Sequence, residues 1–143
     1  MPAMVDLAAA PVEEFLARPL VARLATNGPT VRPVWFLWED GAFWWITGTY
    51  AKLPGRLAAD PEVALVIDTC NLDSGKVLQV TASGVAEVVA MEPERATRKL
   101  TRYLGPDLDT WPERFRGALT DPGARLAKLI PRRPLRIVDQ SFR

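Results

Sequence analysis

Apolar and polar positions alternate with a period of two along residues 20–26 (LVARLAT), and the run ends at Asn27-Gly28-Pro29, a cluster that demands a turn. This pattern predicts a β-strand. Residues 31–38 and 42–47 are rich in aromatic and β-branched side chains and are separated by Asp40-Gly41, the strongest short-range signal for a β-hairpin. Four of the five tryptophans lie here, Trp35, Trp38, Trp44 and Trp45, so both faces of the hairpin are expected to be covered. The apolar run Val63–Ile67 follows Asp60-Pro61 as a further strand. Residues 76–89 form a long strand with Gly84 inside it, which marks a bulge or a close backbone approach. Residues 125–130 and 135–138 supply the last strands. Six or seven strands, one of them long and bent, predict a mainly β fold: a small antiparallel barrel with inserted helices.

Helical periodicity is confined to short stretches. Pro11 suits a first helical turn, Val12, Phe15 and Leu16 share a face, and Pro19 stops the segment, which predicts a short helix lying as a lid over one barrel end. Residues 52–59 form a second helix, interrupted by Pro54-Gly55. A third opens at Pro93 and closes at Gly105-Pro106, with Ala96, Leu100, Tyr103 and Leu104 on one side and Arg95, Arg98, Lys99 and Arg102 on the other. The basic stripe is expected to be a solvated face, with an anion or partner site as the alternative. A last helical piece falls near residues 111–119. With 143 residues and no internal repeat, one domain spanning 1–143 is expected.

Composition narrows the chemistry. The formal charge of +1 gives no global drive toward nucleic acid, and no apolar run reaches membrane-spanning length. The chain start has no basic, then apolar, secretory pattern. Cys70 is the only cysteine, so no intrachain disulfide forms; a cytoplasmic setting and a buried, apolar role for this thiol are expected. Histidine is absent, which excludes every Ser-His, Cys-His and His-metal scheme. Chemistry then falls to a cofactor.

The stretch Ile46-Thr47-Gly48-Thr49-Tyr50-Ala51-Lys52 leaves a strand, turns through glycine between two hydroxyls and begins a helix with a cation. Backbone N–H groups, hydroxyls and an ammonium converge there as a phosphate seat, and Arg56 can join at the (i, i+4) spacing. The same pattern also occurs in ordinary strand-to-helix turns.

Residues 21–68 (VARLATNGPTVRPVWFLWEDGAFWWITGTYAKLPGRLAADPEVALVID), followed by LQVTASGVAEVV, resemble the pyridoxamine 5'-phosphate oxidase-like family, the resemblance covering about Phe15 to Val89. The resemblance implies a split barrel of the FMN-binding type, working as a homodimer with the cofactor between subunits. That cofactor is most often FMN, sometimes a deazaflavin (coenzyme F-420) or haem. It places Arg32, Pro33, Val34 and Trp35 beside the flavin ring, Ile46 and Thr47 at the ribityl-phosphate arm, Lys52 on the phosphate and Gln79 as a polar cofactor contact. Each has another reading: Arg32 as a turn residue paired with an acid, Trp35 as core or dimer packing, Gln79 as an outward strand residue.

The chain departs from the family pattern at Leu53, where many flavin-binding members carry a second basic residue, and at Pro54-Gly55 in the helix start; Arg56 could substitute. Without histidine, the substrate motif of the vitamin B6 oxidases cannot exist. The expected activity is flavin-dependent hydride transfer to or from a small organic substrate. A deazaflavin-dependent reductase, a non-catalytic flavin or deazaflavin carrier and a purely structural role stand as alternatives.

Overall fold

In the computed structural model, which describes residues 11–143, the run that reads as one strand over residues 31–38 is two strands in different parts of a curled sheet. β1 (Val21–Thr26) pairs antiparallel with β2 (Thr30–Trp35) on one side and β5 (Glu62–Asn71) on the other. β3 (Leu37–Glu39) pairs with β4 (Ala42–Gly48), and β4 with β7 (Ala124–Leu129). β6 (Lys76–Ala90) joins the halves: its residues 76–85 pair with β5 and its residues 86–90 with β7. The strand order is β2-β1-β5-β6-β7-β4-β3, with the two-residue β8 (Val138–Asp139) on the outer edge of β6. β2 and β3 lie at opposite ends of this order yet are joined only through Phe36, so the chain itself closes the curl. The architecture is an antiparallel split barrel.

The alternation that predicts the strands also fills the barrel. Ala22 and Leu24 on β1, and Val63, Leu65 and Ile67 on β5, turn inward, while Arg23 turns out. They pack with Phe36, Phe43, Trp45, Val80 and Leu129 in one buried cluster. Each such side chain contributes roughly 1.5–3 kcal/mol on burial. The helical residues 11–16, α1, set Val12, Phe15 and Leu16 into this cluster as the lid their spacing implies.

Gly84 marks a close approach rather than a bulge. The β5–β6 ladder runs through it in register, and a Cβ there would lie 2.8 Å from the Ile130 carbonyl. Of the last predicted strand, residues 135–138, only Val138 joins a ladder, which it shares with Asp139 along β6. Cys70 is exposed, not buried, since it sits near the end of β5 where the ladder projects past the core. Among the described residues, no helix is long and apolar enough to cross a membrane.

After α2 (Leu53–Ala59), the basic stripe of α3 (Pro93–Leu104) gives the largest correction to the sequence reading. It is solvated only at Arg98, while Arg95 and Lys99 are covered. The Arg95 guanidinium lies 3.9 Å from the Trp44 ring centroid and bonds Glu39 at 2.8 Å, and Arg98 bonds the same carboxylate at 2.6 and 2.9 Å. The β3–β4 hairpin offers an outward indole and a carboxylate, so the stripe docks the helix onto it. The hydrogen bond from Arg98, aided by the charges of Arg98 and Arg95, outweighs desolvation and holds Glu39 below its ordinary 4.5. A carboxylate depressed in the folded state contributes stability that is present above its unfolded value and lost as pH falls through its folded one. Stability is therefore expected to drop as pH falls below 4.5, with a component that Glu39→Gln removes. Urea unfolding at pH 6 and pH 3 measures it; identical pH losses in the two proteins would show that the contact does not contribute.

Candidate functional site

β2, β4 and α2 enclose a cleft of about 370 Å³. Arg32 and Val34 reach it from β2, Ile46 and Thr47 from the end of β4, and Lys52, Leu53 and Arg56 from the start of α2. Three cations thus share one cleft. Among the described residues no carboxylate lines it, and none of Arg32, Lys52 or Arg56 takes part in an ion pair. Arg56 spans from α2 to the β1–β2 turn, its guanidinium 3.9 Å from the place a Cβ would occupy on Gly28. Thr47 is 4% exposed and its hydroxyl oxygen is buried with no hydrogen-bond partner. A buried hydroxyl without a partner costs free energy unless something else completes it.

The turn that presents these groups is tightly specified. Gly48 has no room for a side chain: a Cβ would fall 2.3 Å from the Tyr50 ring and 2.8 Å from the Gly123 carbonyl. Ala51 N–H donates to Gly48 O and Thr49 N–H to Gly123 O, which fixes the path into Lys52. Tyr50 donates its hydroxyl to Thr47 O at 3.2 Å, and burial together with Asp121 pushes its pKa up, so it remains a donor. α2 itself offers less than the sequence suggests. It is seven residues long, Lys52 makes no side-chain cap, and Pro54 in its first turn has no N–H. The positive charge in this cleft comes from side chains rather than from helix amides.

Pro33 and Trp35 are turned the other way, because neighbours on a strand face opposite sides. They line a second cavity, of about 460 Å³, that shares Val34, Trp45, Ile46 and Tyr50 with the cleft. Trp35 stacks on Tyr103, at 4.5 Å and 3°, and on Phe115, at 5.3 Å and 16°. Phe115 comes from α4 (Glu113–Ala118). Gln79 is in neither space. It pairs with Asp68 on β5 and Val138 on β8, outside the residues that line the cleft. Lys99 also lines the second cavity; read as part of a solvated stripe, it is 4% exposed, and burial, with the neighbouring Arg102, lowers its pKa to about 8.

The family model for pyridoxamine 5'-phosphate oxidase matches residues 9–124. No curated protein sequence matches the chain. Among solved structures, the conserved hypothetical protein Rv2991 from Mycobacterium tuberculosis is 22% identical, with 92% of this chain and 83% of that chain covered and a TM-score of 0.68. An F420 reductase is 22% identical, over 88% of this chain and 94% of its own, with a TM-score of 0.59. HutZ, the heme storage protein from Vibrio cholerae, is 16% identical, over 94% and 96%, with a TM-score of 0.68. At these identities the likeness is one of fold.

Proposed function

Because the chain belongs to the pyridoxamine 5'-phosphate oxidase family, we propose that it is a flavin-dependent oxidoreductase whose cleft between β2, β4 and α2 holds the phosphate arm of FMN. The observation that carries this reading is the meeting of three cations that lack acidic partners with the orphaned Thr47 hydroxyl. A dianion with several acceptor oxygens satisfies all four. Bound there, FMN would supply hydride transfer to or from a small organic substrate.

The protein's own part is to anchor and orient. Lys52 and Arg56 hold charge at the mouth, Thr47 donates from the floor, and the backbone of Arg32 to Trp35 runs along the site. The reading takes the chain as one domain that acts in the cytoplasm as a homodimer. Gln79, remote from the cleft within one chain, would reach a cofactor only from a second copy.

Titration with FMN, followed by flavin fluorescence, tests the proposal, with a deazaflavin as a second arm because an F420 reductase shares the fold. Saturable binding, and consumption of a reduced nicotinamide in the presence of a quinone, are expected. Binding without turnover would favour a carrier. Uptake of neither ring would sink both readings.

A further inference from the structure

Lys99 has no part in phosphate anchoring, yet it is the most buried lysine of the chain's described residues and sits in the wall of a cavity. Its neighbours on the basic stripe are accounted for. Arg95 and Arg98 bond Glu39, and Arg102 bonds backbone carbonyls. Lys99 makes no hydrogen bond or ion pair with any described residue; its ammonium lies 6.0 Å from the Trp35 ring centroid. An ammonium left with only a narrow contact with water and no acid beside it is costly, and a methionine of similar length would pack there at less cost.

The cavity supplies the other half of the argument. Trp35, Phe115 and Trp45 give it aromatic walls, Arg114 adds a second cation, and no carboxylate lines it among the described residues. It also shares Val34, Trp45, Ile46 and Tyr50 with the proposed cofactor cleft, so an occupant would lie against the same strands as a ring bound in that cleft.

We propose that this second cavity is the substrate end of the site and takes a planar organic anion, its negative oxygen met by Lys99 Nζ. The name substrate rests on the flavin reading; the anion site does not. The charged and titratable groups around Lys99 are Arg102 on its own helix; Arg114 on α4 and Tyr50 on the turn after β4, which line the cavity with it; and Tyr103, which stacks on the same Trp35. Arginine side chains keep their charge at all pH values of interest. The pKa values of Tyr50 and Tyr103 are both pushed up, chiefly by burial, so the phenols stay neutral. Lys99 is then the group that changes charge near pH 8 in this cavity.

Benzoate, which stays ionised throughout, is the probe, with neutral benzamide as control; tryptophan fluorescence reports binding to the full chain. Benzoate affinity is expected to fall about tenfold between pH 6.5 and pH 9, as Lys99 loses its proton. Lys99→Met, which removes a buried charge and keeps the stem, should weaken benzoate about tenfold or more at pH 6.5 and abolish the pH dependence. Lys99→Arg should restore most of the affinity, and benzamide should not distinguish the three proteins. Equal benzoate affinity in wild type and Lys99→Met, or no benzoate binding at all, would overturn the proposal. FMN uptake measured on the same proteins separates the two ideas. Lys99-dependent benzoate binding without any flavin uptake would leave the anion site standing and remove the flavin reading.

Discussion

Lys52→Ala is expected to weaken FMN binding by roughly tenfold to a hundredfold while leaving riboflavin binding unchanged. The magnitude is that of one charge-assisted hydrogen bond, about 1.5–3 kcal/mol. Riboflavin is the informative control because it carries the ring and ribityl chain without the phosphate. If both ligands lose affinity equally, Lys52 acts on the shape of the turn and not on charge. If neither does, the phosphate seat lies elsewhere. Arg56→Ala should give a loss of similar size, since its guanidinium bridges from α2 toward the β1–β2 turn over the same cleft. The double variant should lose more than the product of the two, because both cations address one dianion and each partly covers for the loss of the other. Affinity in the wild type should also fall as ionic strength rises, because Lys52 is exposed and its field is screened.

The parts of this site that were legible in the sequence are those governed by local chemistry. Asp40 and Gly41 take positive φ values of 55° and 71°, as the hairpin turn between two aromatic runs requires. The stretch from Ile46 to Lys52 folds as a strand, a glycine turn and a helix start, and its side chains meet Arg56 in one cleft. What stayed hidden depends on contacts between distant residues. Nothing in the run from Val34 to Trp38 says that Phe36 changes sheets, because its backbone partners lie 66 and 67 residues away on α3. Strand alternation does imply that Arg32 to Trp35 cannot all face one ligand, and the structure divides them between two cavities. Lys99 could not be told from Arg95 or Arg98 by spacing. Its burial is decided by where α4 and β2 place their aromatic rings.

Arg102→Met is expected to cost about 3 kcal/mol of folding stability, near 10 °C in Tm for a domain of this size. Phe36, between β2 and β3, has left both ladders, and the end of α3 takes over its backbone groups. Arg102 donates to Phe36 O at 3.1 Å, to Leu16 O at 2.7 Å and to Arg18 O at 2.6 Å, so one guanidinium ties the barrel's seam to the exit of α1. Tyr103 completes the clasp: its hydroxyl accepts from Phe36 N–H at 3.1 Å and donates to Leu20 O at 2.7 Å. With a single proton spent on Leu20, its 3.2 Å approach to Phe36 O is not a second bond, which leaves that carbonyl to Arg102. Methionine keeps an apolar stem but deletes all three charge-assisted bonds and the guanidinium that lies 5.4 Å from the Phe36 ring centroid. Against this stands the cost the native guanidinium carries, since burial lowers its pKa and its Nε has no partner. Three bonds to carbonyls outweigh one unpartnered N–H, and the sign is therefore destabilising. Tyr103→Phe should cost less, about 1–2 kcal/mol, because it orphans one N–H and one carbonyl but retains the stack on Trp35. Hydrogen exchange adds a local readout: both variants should speed exchange of the Phe36 amide beyond what the global loss explains. A change below about 1 kcal/mol for Arg102→Met, outside the range expected for losing three such bonds, would mean that water replaces the guanidinium at the seam and that the barrel closes without the clasp.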